Sequence, residues 1–187
     1  MKYFKKLVGD RIYLAPKGST EEEIEKFTEW MNDFQVTDYT GRTSQITTYD
    51  EEKRYLEDAT RDASNRSFNI VEIETDKLIG TVGLEHFNWI ERSAVLGIFI
   101  GEKDFRSNGY GTEAFCIRNR YIFNEMKLRR IENGYFKDNE KSHKMQLKLG
   151  YRDEGIRRKK FICMATNEYV DECITGLLKE EFIDIYK

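Results

Sequence analysis

The sequence predicts an α/β domain of the α+β type, in which a mixed, mostly antiparallel and twisted sheet is flanked by helices. Between residues 68 and 100, three consecutive segments have lengths that suit an antiparallel meander, and the first of them, Phe68–Glu74, alternates apolar and polar residues. Beyond residue 109 the apolar spacing becomes helical, with one strand between two helices and two strands after them. The predicted order is β-α-α-β-β-β-α-β-α-β-β, in one domain over residues 1–187.

The first third of the chain contains one predicted strand, Arg11–Ala15, followed by two helices. Each helix begins at a capping box, in which a threonine precedes a glutamate by three residues. These pairs are Thr20 with Glu23 and Thr48 with Glu51. Five apolar residues recur at helical spacing on the first helix: Ile24, Phe27, Trp30, Met31 and Phe34. This spacing favours a core role for Trp30 and Phe34 over stacking against a substrate. The polar stretch Gln35–Gln45 is predicted to be a loop.

The rest of the chain supplies the meander, two further helices, a strand between them and a closing hairpin. The meander strands are predicted at Phe68–Glu74, Leu78–Phe87 and Ala94–Ile100. The following helix, strand and helix are predicted at Gly109–Glu125, Arg130–Phe136 and Asn139–Leu149, the last ending at a Gly150 cap. The hairpin strands are predicted at Tyr151–Met164 and Glu168–Leu178, with a short final helix over Lys179–Ile185.

Composition excludes several functional classes. The chain is 39% hydrophobic and 35% charged, and no apolar run approaches the roughly 20 residues of a membrane-spanning helix. The net charge of −3 provides no general attraction to nucleic acid, and the basic run Arg157–Lys160 is interpreted mainly as a solvated hairpin segment. Three cysteines without C-x-x-C spacing predict neither a disulfide framework nor a metal site. We expect a cytoplasmic protein, because no secretory signal follows the basic start.

The segment that carries chemistry is the glycine loop, residues 106–112, which follows a strand and opens a helix. Gly109 and Gly111 let the backbone turn tightly and approach a ligand, and the helix start directs free amides toward the same point. This arrangement favours a phosphate or pyrophosphate. The loop lacks the Gly-Lys-Ser/Thr ending of a P-loop, and it follows a meander rather than a first βαβ unit, which argues against the dinucleotide fold.

Three ordered blocks resemble one family. The pattern Arg-x-x-Gly-x-Gly-Thr-Glu-Ala from Arg106 is similar to the acetyl-CoA motif of the GNAT superfamily of N-acetyltransferases. A second block runs from Asn139 through Leu147–Tyr151 to Arg157, and a third covers Tyr169–Phe182. The blocks resemble the branch that includes the ribosomal-protein alanine acetyltransferases. The resemblance implies a GNAT-like fold over nearly the whole chain.

The resemblance also implies a binding mode for acetyl-CoA. In this family, the strand before the loop separates from its neighbour and pairs with the pantetheine arm, a position held here by Phe99, Ile100 and Gly101. Loop residues would bind the pyrophosphate, with Arg106 adding positive charge; the candidates are Arg106, Ser107, Asn108, Gly109, Tyr110, Gly111 and Thr112. Asn139 and Ser142 would lie near the thioester. The helix from Thr20 to Phe34 and the loop through Tyr39, Gly41 and Arg42 would form the acceptor wall. Glu113 is expected to point away from the ligand, as a structural first-turn carboxylate.

Proton transfer is assigned to two candidate catalytic residues. An attacking amine must be neutral, so a base or a water relay must accept its proton, and Glu85 is the candidate base near the end of the second meander strand. The alternation of a strand would direct His86 to the opposite face. Many relatives place a tyrosine where this chain has Gln146, which is not an acid at neutral pH. Ser142 could hydrogen-bond the departing thiolate instead.

The predicted function is transfer of an acetyl group from acetyl-CoA to a primary amine by direct attack, with no metal. The acceptor is a protein N-terminus or a small-molecule amine, and the protein is expected to be a monomer or homodimer that binds neither membrane nor nucleic acid. A non-catalytic acyl-CoA-binding regulatory module is the alternative, which the glutamine at position 146 favours.

Overall fold

The computed structural model describes residues 3–41, 45–62, 66–163 and 166–186, and it describes Leu84 and Glu85 by their backbone alone. Within these residues, eight strands form one sheet. The strands are β1 (Leu7–Val8), β2 (Ile12–Pro16), β3 (Phe68–Glu72), β4 (Leu78–Asn88), β5 (Ser93–Ile100), β6 (Arg130–Phe136), β7 (Arg152–Cys163) and β8 (Glu168–Leu178). Their order across the sheet is β1-β2-β3-β4-β5-β6-β8-β7.

Helices cover both faces of the sheet. They are α1 (Glu21–Met31), α2 (Phe34–Thr37), α3 (Tyr49–Arg61), α4 (Tyr110–Asn124) and α5 (Glu140–Lys148). Both predicted capping boxes are present, at Thr20 and at Thr48. Gly150 has a φ of 94°, as expected for the residue that ends α5.

The sheet pairing confirms the predicted fold class. Neighbouring strands run antiparallel except β5 and β6, which are parallel. This parallel pair forms because α4 carries the chain from the end of β5 back to the start of β6. The predicted meander and closing hairpin are both present, so the element order is confirmed apart from short additions.

The structure corrects three local predictions. The two-residue strand β1 was not predicted, because two residues are too few to show a period. The predicted loop contains the short helix α2, which begins at Phe34; Asp33 caps it by accepting from the Gln35 amide. Phe34 is therefore not part of α1, and it is 67% exposed rather than buried. The predicted final helix is a single 3₁₀ turn, Lys179–Glu181.

Two hydrophobic cores fix the sheet between the helices. On one face, α4 packs against the central strands through residues such as Phe115, Ile117 and Phe123. On the other face, α1 and α3 pack through Phe27, Trp30 and Leu56. The predicted core role of Trp30 is confirmed, with 2% of the residue exposed. The α4 core includes Leu96 of β5 and Ile131 of β6, and Phe99 of β5 packs against the core on the other face.

The basic run Arg157–Lys160 lies on β7, at the edge of the sheet, and all four residues are exposed. Arg157 pairs with Glu172 at 2.9 Å, and the Lys159 amide donates to Asp171. No helix among the described residues is both long and apolar enough to span a membrane.

Candidate active site

A cleft opens in the middle of the sheet where β5 and β6 separate. Ser93–Val95 pair with Arg130–Glu132 in parallel register. Past this point β5 remains paired with β4 as far as Ile100, and β6 remains paired with β8 as far as Phe136. The facing edges of the two strands therefore diverge from Val95 and Glu132 onward. We call this opening the β5–β6 cleft.

Alternate residues of β5 present their backbone groups to the cleft. The Gly101 amide donates to Ile79 of β4, and the Arg92 carbonyl accepts from Arg129 on the β6 side. Since bonding direction alternates along a strand, the even-numbered residues of β5 face β6. The amide and carbonyl groups of Leu96 and Ile98 therefore face the open side of the strand. They form a backbone edge to which an extended arm can pair.

The three residues predicted to pair with the pantetheine arm are placed differently from one another. Phe99 directs its backbone toward β4, in register with Thr81, and its ring packs against Trp30. The Gly101 amide is bonded to Ile79, and the Trp30 ring occupies the space where a Gly101 side chain would lie. Ile100 has a cleft-facing backbone, but its carbonyl already accepts from Arg106. The free edge thus lies mainly at Leu96 and Ile98, earlier in the strand than predicted.

The glycine loop joins the end of β5 to α4. Ser107 and Gly109 have φ values of 62° and 87°, and Gly109 is the N-terminal cap of α4. The first bond of the helix runs from the Glu113 amide to the Gly109 carbonyl, at 3.0 Å. The amides of Tyr110, Gly111 and Thr112 precede this bond and lie in the turn whose donors a helix leaves unpaired. Asn108 is exposed and Thr112 half-buried, so an anion can approach the amides.

Arg106 points away from the loop amides. Its Nε donates to the Ile100 carbonyl at 3.0 Å, and its terminal nitrogens contact the Gly101 carbonyl, Gln35 and Asp33. The guanidinium therefore connects the end of β5 to α2. The positive charge predicted for Arg106 at the pyrophosphate is directed toward Asp33 instead.

Glu113 secures α4 to the β1–β2 turn, as expected for a structural carboxylate. It is fully buried and accepts from the backbone amides of Asp10, Arg11 and Ile12 at 2.9, 2.9 and 3.3 Å. Arg11 adds an ion pair of 3.0 Å to the carboxylate and donates to the Asn108 carbonyl. The glycine loop is thus held from behind by groups that come from the start of the chain.

Gly111 lines the floor of the cleft. A Cβ atom at this position would lie 3.8 Å from Ile100 Cγ1, 3.8 Å from Met145 Sδ and 3.9 Å from Ile98 Cδ1. These are ordinary contact distances, so the protein itself leaves room for a small side chain here. Because the space lies between β5 and α5, the missing side chain of Gly111 widens the cleft.

The start of α5 forms the other wall of the cleft. Asn139 caps the helix by accepting from the Ser142 amide at 3.1 Å. Ser142 is half-buried in the first turn. Lys141 reaches across to the glycine loop, where its Nζ lies 2.9 Å from Ser107 Oγ. Sequence reasoning missed Lys141, because only the fold brings it beside a loop 34 residues earlier.

The candidate base Glu85 lies on β4, where its backbone pairs with Val95. Its side chain is outside the described part of the structure. The register shifts between Glu85 and Asn88, and His86 has a φ of 49°, so strand alternation does not continue through His86. Glu132, which pairs with Val95 from the other side, is a second carboxylate at this end of the cleft.

Glu132 is a candidate that sequence reasoning did not name. Its side chain is 42% exposed, and Arg130 Nε donates to it at 3.2 Å. It lies at the point where β5 and β6 begin to diverge. A carboxylate at this position can accept a proton or hold an ammonium group.

An aromatic wall borders β6 on the side of α2. The Phe136 ring stacks on Phe161 at 4.5 Å and meets Tyr39 edge-on at 6.1 Å. A Cβ atom at Gly41 would lie 3.5 Å from the Phe161 ring, whereas Arg42, also predicted at the acceptor wall, is outside the described residues. Burial raises the pKa of the Tyr39 hydroxyl above its usual value, and the negative charge of Asp138 raises it further.

The described residues contain no group of three or more His, Cys, Asp or Glu side chains that could hold a metal ion. The cleft presents helix-start amides, hydroxyl groups, Lys141 and carboxylates. Such groups can bind an anionic cofactor, polarise a carbonyl group and move a proton.

The Acetyltransferase (GNAT) domain family matches residues 11–152. The Probable N-acetyltransferase YjcK of Bacillus subtilis is 33% identical over 167 residues, which cover 82% of this chain and 87% of the relative. A GNAT-family acetyltransferase structure from Bacillus anthracis has a TM-score of 0.79 at 24% identity, covering 94% of this chain and 99% of that one.

A second solved structure shares the fold. Spermidine N-acetyltransferase from Vibrio cholerae, in complex with CoA and spermine, has a TM-score of 0.82 at 20% identity and covers 91% of this chain and 97% of that one. The family match covers the strand, loop and helices that build the cleft. The chain therefore belongs to the GNAT acetyltransferase family and is an acetyl-CoA-dependent N-acetyltransferase.

Proposed function

We propose that the protein transfers the acetyl group of acetyl-CoA to a primary amine by direct attack within the β5–β6 cleft. The observation that carries this proposal is the divergence of β5 and β6 beside a helix start that carries unpaired amides. The pantetheine arm would pair with the free edge at Leu96 and Ile98, and the pyrophosphate would lie on the amides from Asn108 to Gly111. The amine would enter from the side of the aromatic wall.

The site fits a cofactor that carries several phosphate groups. The glycine loop directs helix-start amides toward solvent, and Lys141 lies at its rim with the neutral Ser107 hydroxyl as its partner. Within the described chain, no carboxylate pairs with Lys141. Its ammonium group can therefore pair with a phosphate without breaking an ion pair.

We predict that Lys141→Gln lowers the affinity for CoA about 5-fold at low salt and makes the affinity less salt-dependent, since one exposed charge pair is lost. Calorimetric titration with CoA at two salt concentrations measures both effects. Lys144→Gln is the matched control, because Lys144 lies on the same helix and pairs with Glu140 at 2.9 Å. Equal losses in the two variants would contradict the role of Lys141.

The base that accepts the amine proton is proposed to be Glu85, as its place near the end of β4 suggests. We predict that Glu85→Gln lowers the rate about 100-fold near neutral pH and changes CoA affinity little. Rates measured across pH test this, with Glu132→Gln assayed in parallel. A wild-type profile for Glu85→Gln would point to a water relay, and a changed profile for Glu132→Gln alone would transfer the role to Glu132.

A small-molecule amine is the acceptor that the surroundings favour. The exposed carboxylate of Asp138 lies near Tyr39, and an aromatic ring beside negative charge suits a cationic amine. The structural relative from Vibrio cholerae is a spermidine acetyltransferase. A protein N-terminus is the second acceptor class, supported by the resemblance to the ribosomal-protein branch.

Thiol release from acetyl-CoA, measured with a panel of amines, tests the proposal. The panel contains polyamines, amino sugars and peptides with free N-termini. Turnover with polyamines above that with peptides is the expected result. CoA binding without turnover on every amine would instead support the non-catalytic module.

A further inference from the structure

Gln146 is fully buried, and it is the one buried residue of α5. It lies one turn after Ser142, on the side of the helix that faces β6 and β8. A buried amide is costly unless both of its ends are hydrogen-bonded. The partners of Gln146 therefore indicate what its side chain does.

Both ends of the Gln146 amide are engaged. Thr175 Oγ1 on β8 donates to Gln146 Oε1, and Gln146 Nε2 donates to Ser142 Oγ at 3.0 Å. Thr175 is also fully buried. A chain of hydrogen bonds thus runs from the buried sheet to the hydroxyl group at the cleft wall.

The direction of this chain has a chemical consequence. An amide nitrogen donates but does not accept, so Ser142 Oγ must be the acceptor in its contact with Gln146. The hydroxyl proton of Ser142 is then not used by Gln146. The Ser142 amide is bonded to Asn139, which fixes the turn that carries the hydroxyl. The hydroxyl is left with one proton to donate and a fixed oxygen position.

We propose that Gln146 is a positioning residue, which holds the Ser142 hydroxyl so that it donates its hydrogen bond to the sulfur of the departing thiolate. This inference rests on the proposed function. As the amine nitrogen bonds to the carbonyl carbon, the C–S bond breaks and its electron pair passes to sulfur. The base takes the amine proton, and Ser142 keeps its own proton while stabilising the sulfur anion. Gln146 thereby serves the reaction without touching the reactants.

The variant Gln146→Glu separates positioning from packing, because glutamate has nearly the same size but accepts where the amide donates. An ionised glutamate at this position would accept a hydrogen bond from the Ser142 hydroxyl, so that the hydroxyl would no longer donate to sulfur. We expect kcat to fall about 10-fold with the KM for acetyl-CoA unchanged, because one hydrogen bond to a charged group is lost. Ser142→Ala should lower kcat by a similar factor.

A double mutant of Ser142 and Gln146, together with two substitutions of Thr175, tests whether Gln146 acts through Ser142. In a Ser142→Ala background, Gln146→Glu should lower kcat no further, because both changes remove the same bond. Thr175→Ser should retain activity, whereas Thr175→Val should lower kcat. Independent, multiplicative losses in the double mutant, or an unchanged kcat in Gln146→Glu, would overturn the proposal.

A second readout does not require turnover. The pH at which the thiol of bound CoA ionises, followed by thiolate absorbance, should rise by about one unit in Ser142→Ala and in Gln146→Glu. An unchanged ionisation pH in both variants would overturn the positioning role even if no amine is acetylated. Failure of every amine with the wild-type protein would refute the proposed function separately. Thermal melting of each variant confirms that it is folded.

Discussion

Replacing Gly111 by valine is expected to weaken acetyl-CoA binding about 30-fold, or roughly 2 kcal/mol, the usual cost of forcing extra methyl groups into an occupied space. The glycine leaves a gap bordered by Ile98, Ile100 and Met145, and the nearest of these atoms lie 3.8 Å from the position that a Cβ atom would take. In the free protein a Cβ at this position makes only ordinary contacts. In the complex the valine side chain would compete with the pantetheine arm for the same gap. Calorimetric titration with CoA measures the loss.

Gly155→Val is the matched control for this experiment. Gly155 lies on the edge strand β7, and a Cβ there has no neighbour within 4 Å. We expect its CoA affinity to equal that of the wild type. Unchanged affinity in Gly111→Val would contradict the placement of the cofactor arm between β5 and α5.

Removing the carboxylate in Glu113→Ala is expected to destabilise the protein by about 3 kcal/mol, because three backbone amides and Arg11 lose a buried partner together. The free energy of unfolding in urea measures the effect. CoA affinity should also fall, since Glu113 anchors the first turn of α4 directly behind the glycine loop.

Glu125→Ala is the control on the same helix. Glu125 is an exposed residue at the C-terminal end of α4, where a negative charge opposes the helix dipole. We expect this variant to be as stable as the wild type or slightly more stable. If Glu113→Ala lowers the free energy of unfolding no more than Glu125→Ala does, the buried hydrogen bonds of Glu113 contribute little to stability.

The features that could be predicted from sequence are those determined by local spacing. Capping boxes at Thr20 and Thr48, the glycine cap at Gly150 and the helix start after Gly109 each depend on residues within one turn of each other. The structural role of Glu113 was also predictable. A carboxylate in the first turn of a helix is stabilised by the helix dipole, but its negative charge would repel a bound phosphate.

The features that could not be predicted depend on partners distant in sequence. Arg106 was expected at the pyrophosphate, but Asp33, 73 residues earlier, attracts its guanidinium elsewhere. Which β5 residues face the cleft is determined by pairing with β4. Lys141 reaches the loop only because α5 packs beside it. The consequence of Gln146 became visible once Thr175 and Ser142 were placed beside it.

A crystal structure of the protein with CoA is the most direct test of the proposed site. We expect the pyrophosphate on the amides between Asn108 and Gly111, the pantetheine arm along Leu96 and Ile98, and the sulfur within hydrogen-bonding distance of Ser142 Oγ. Lys141 should exchange its contact with Ser107 for a phosphate oxygen. CoA bound outside the β5–β6 cleft, or a sulfur remote from Ser142, would contradict the proposed mechanism.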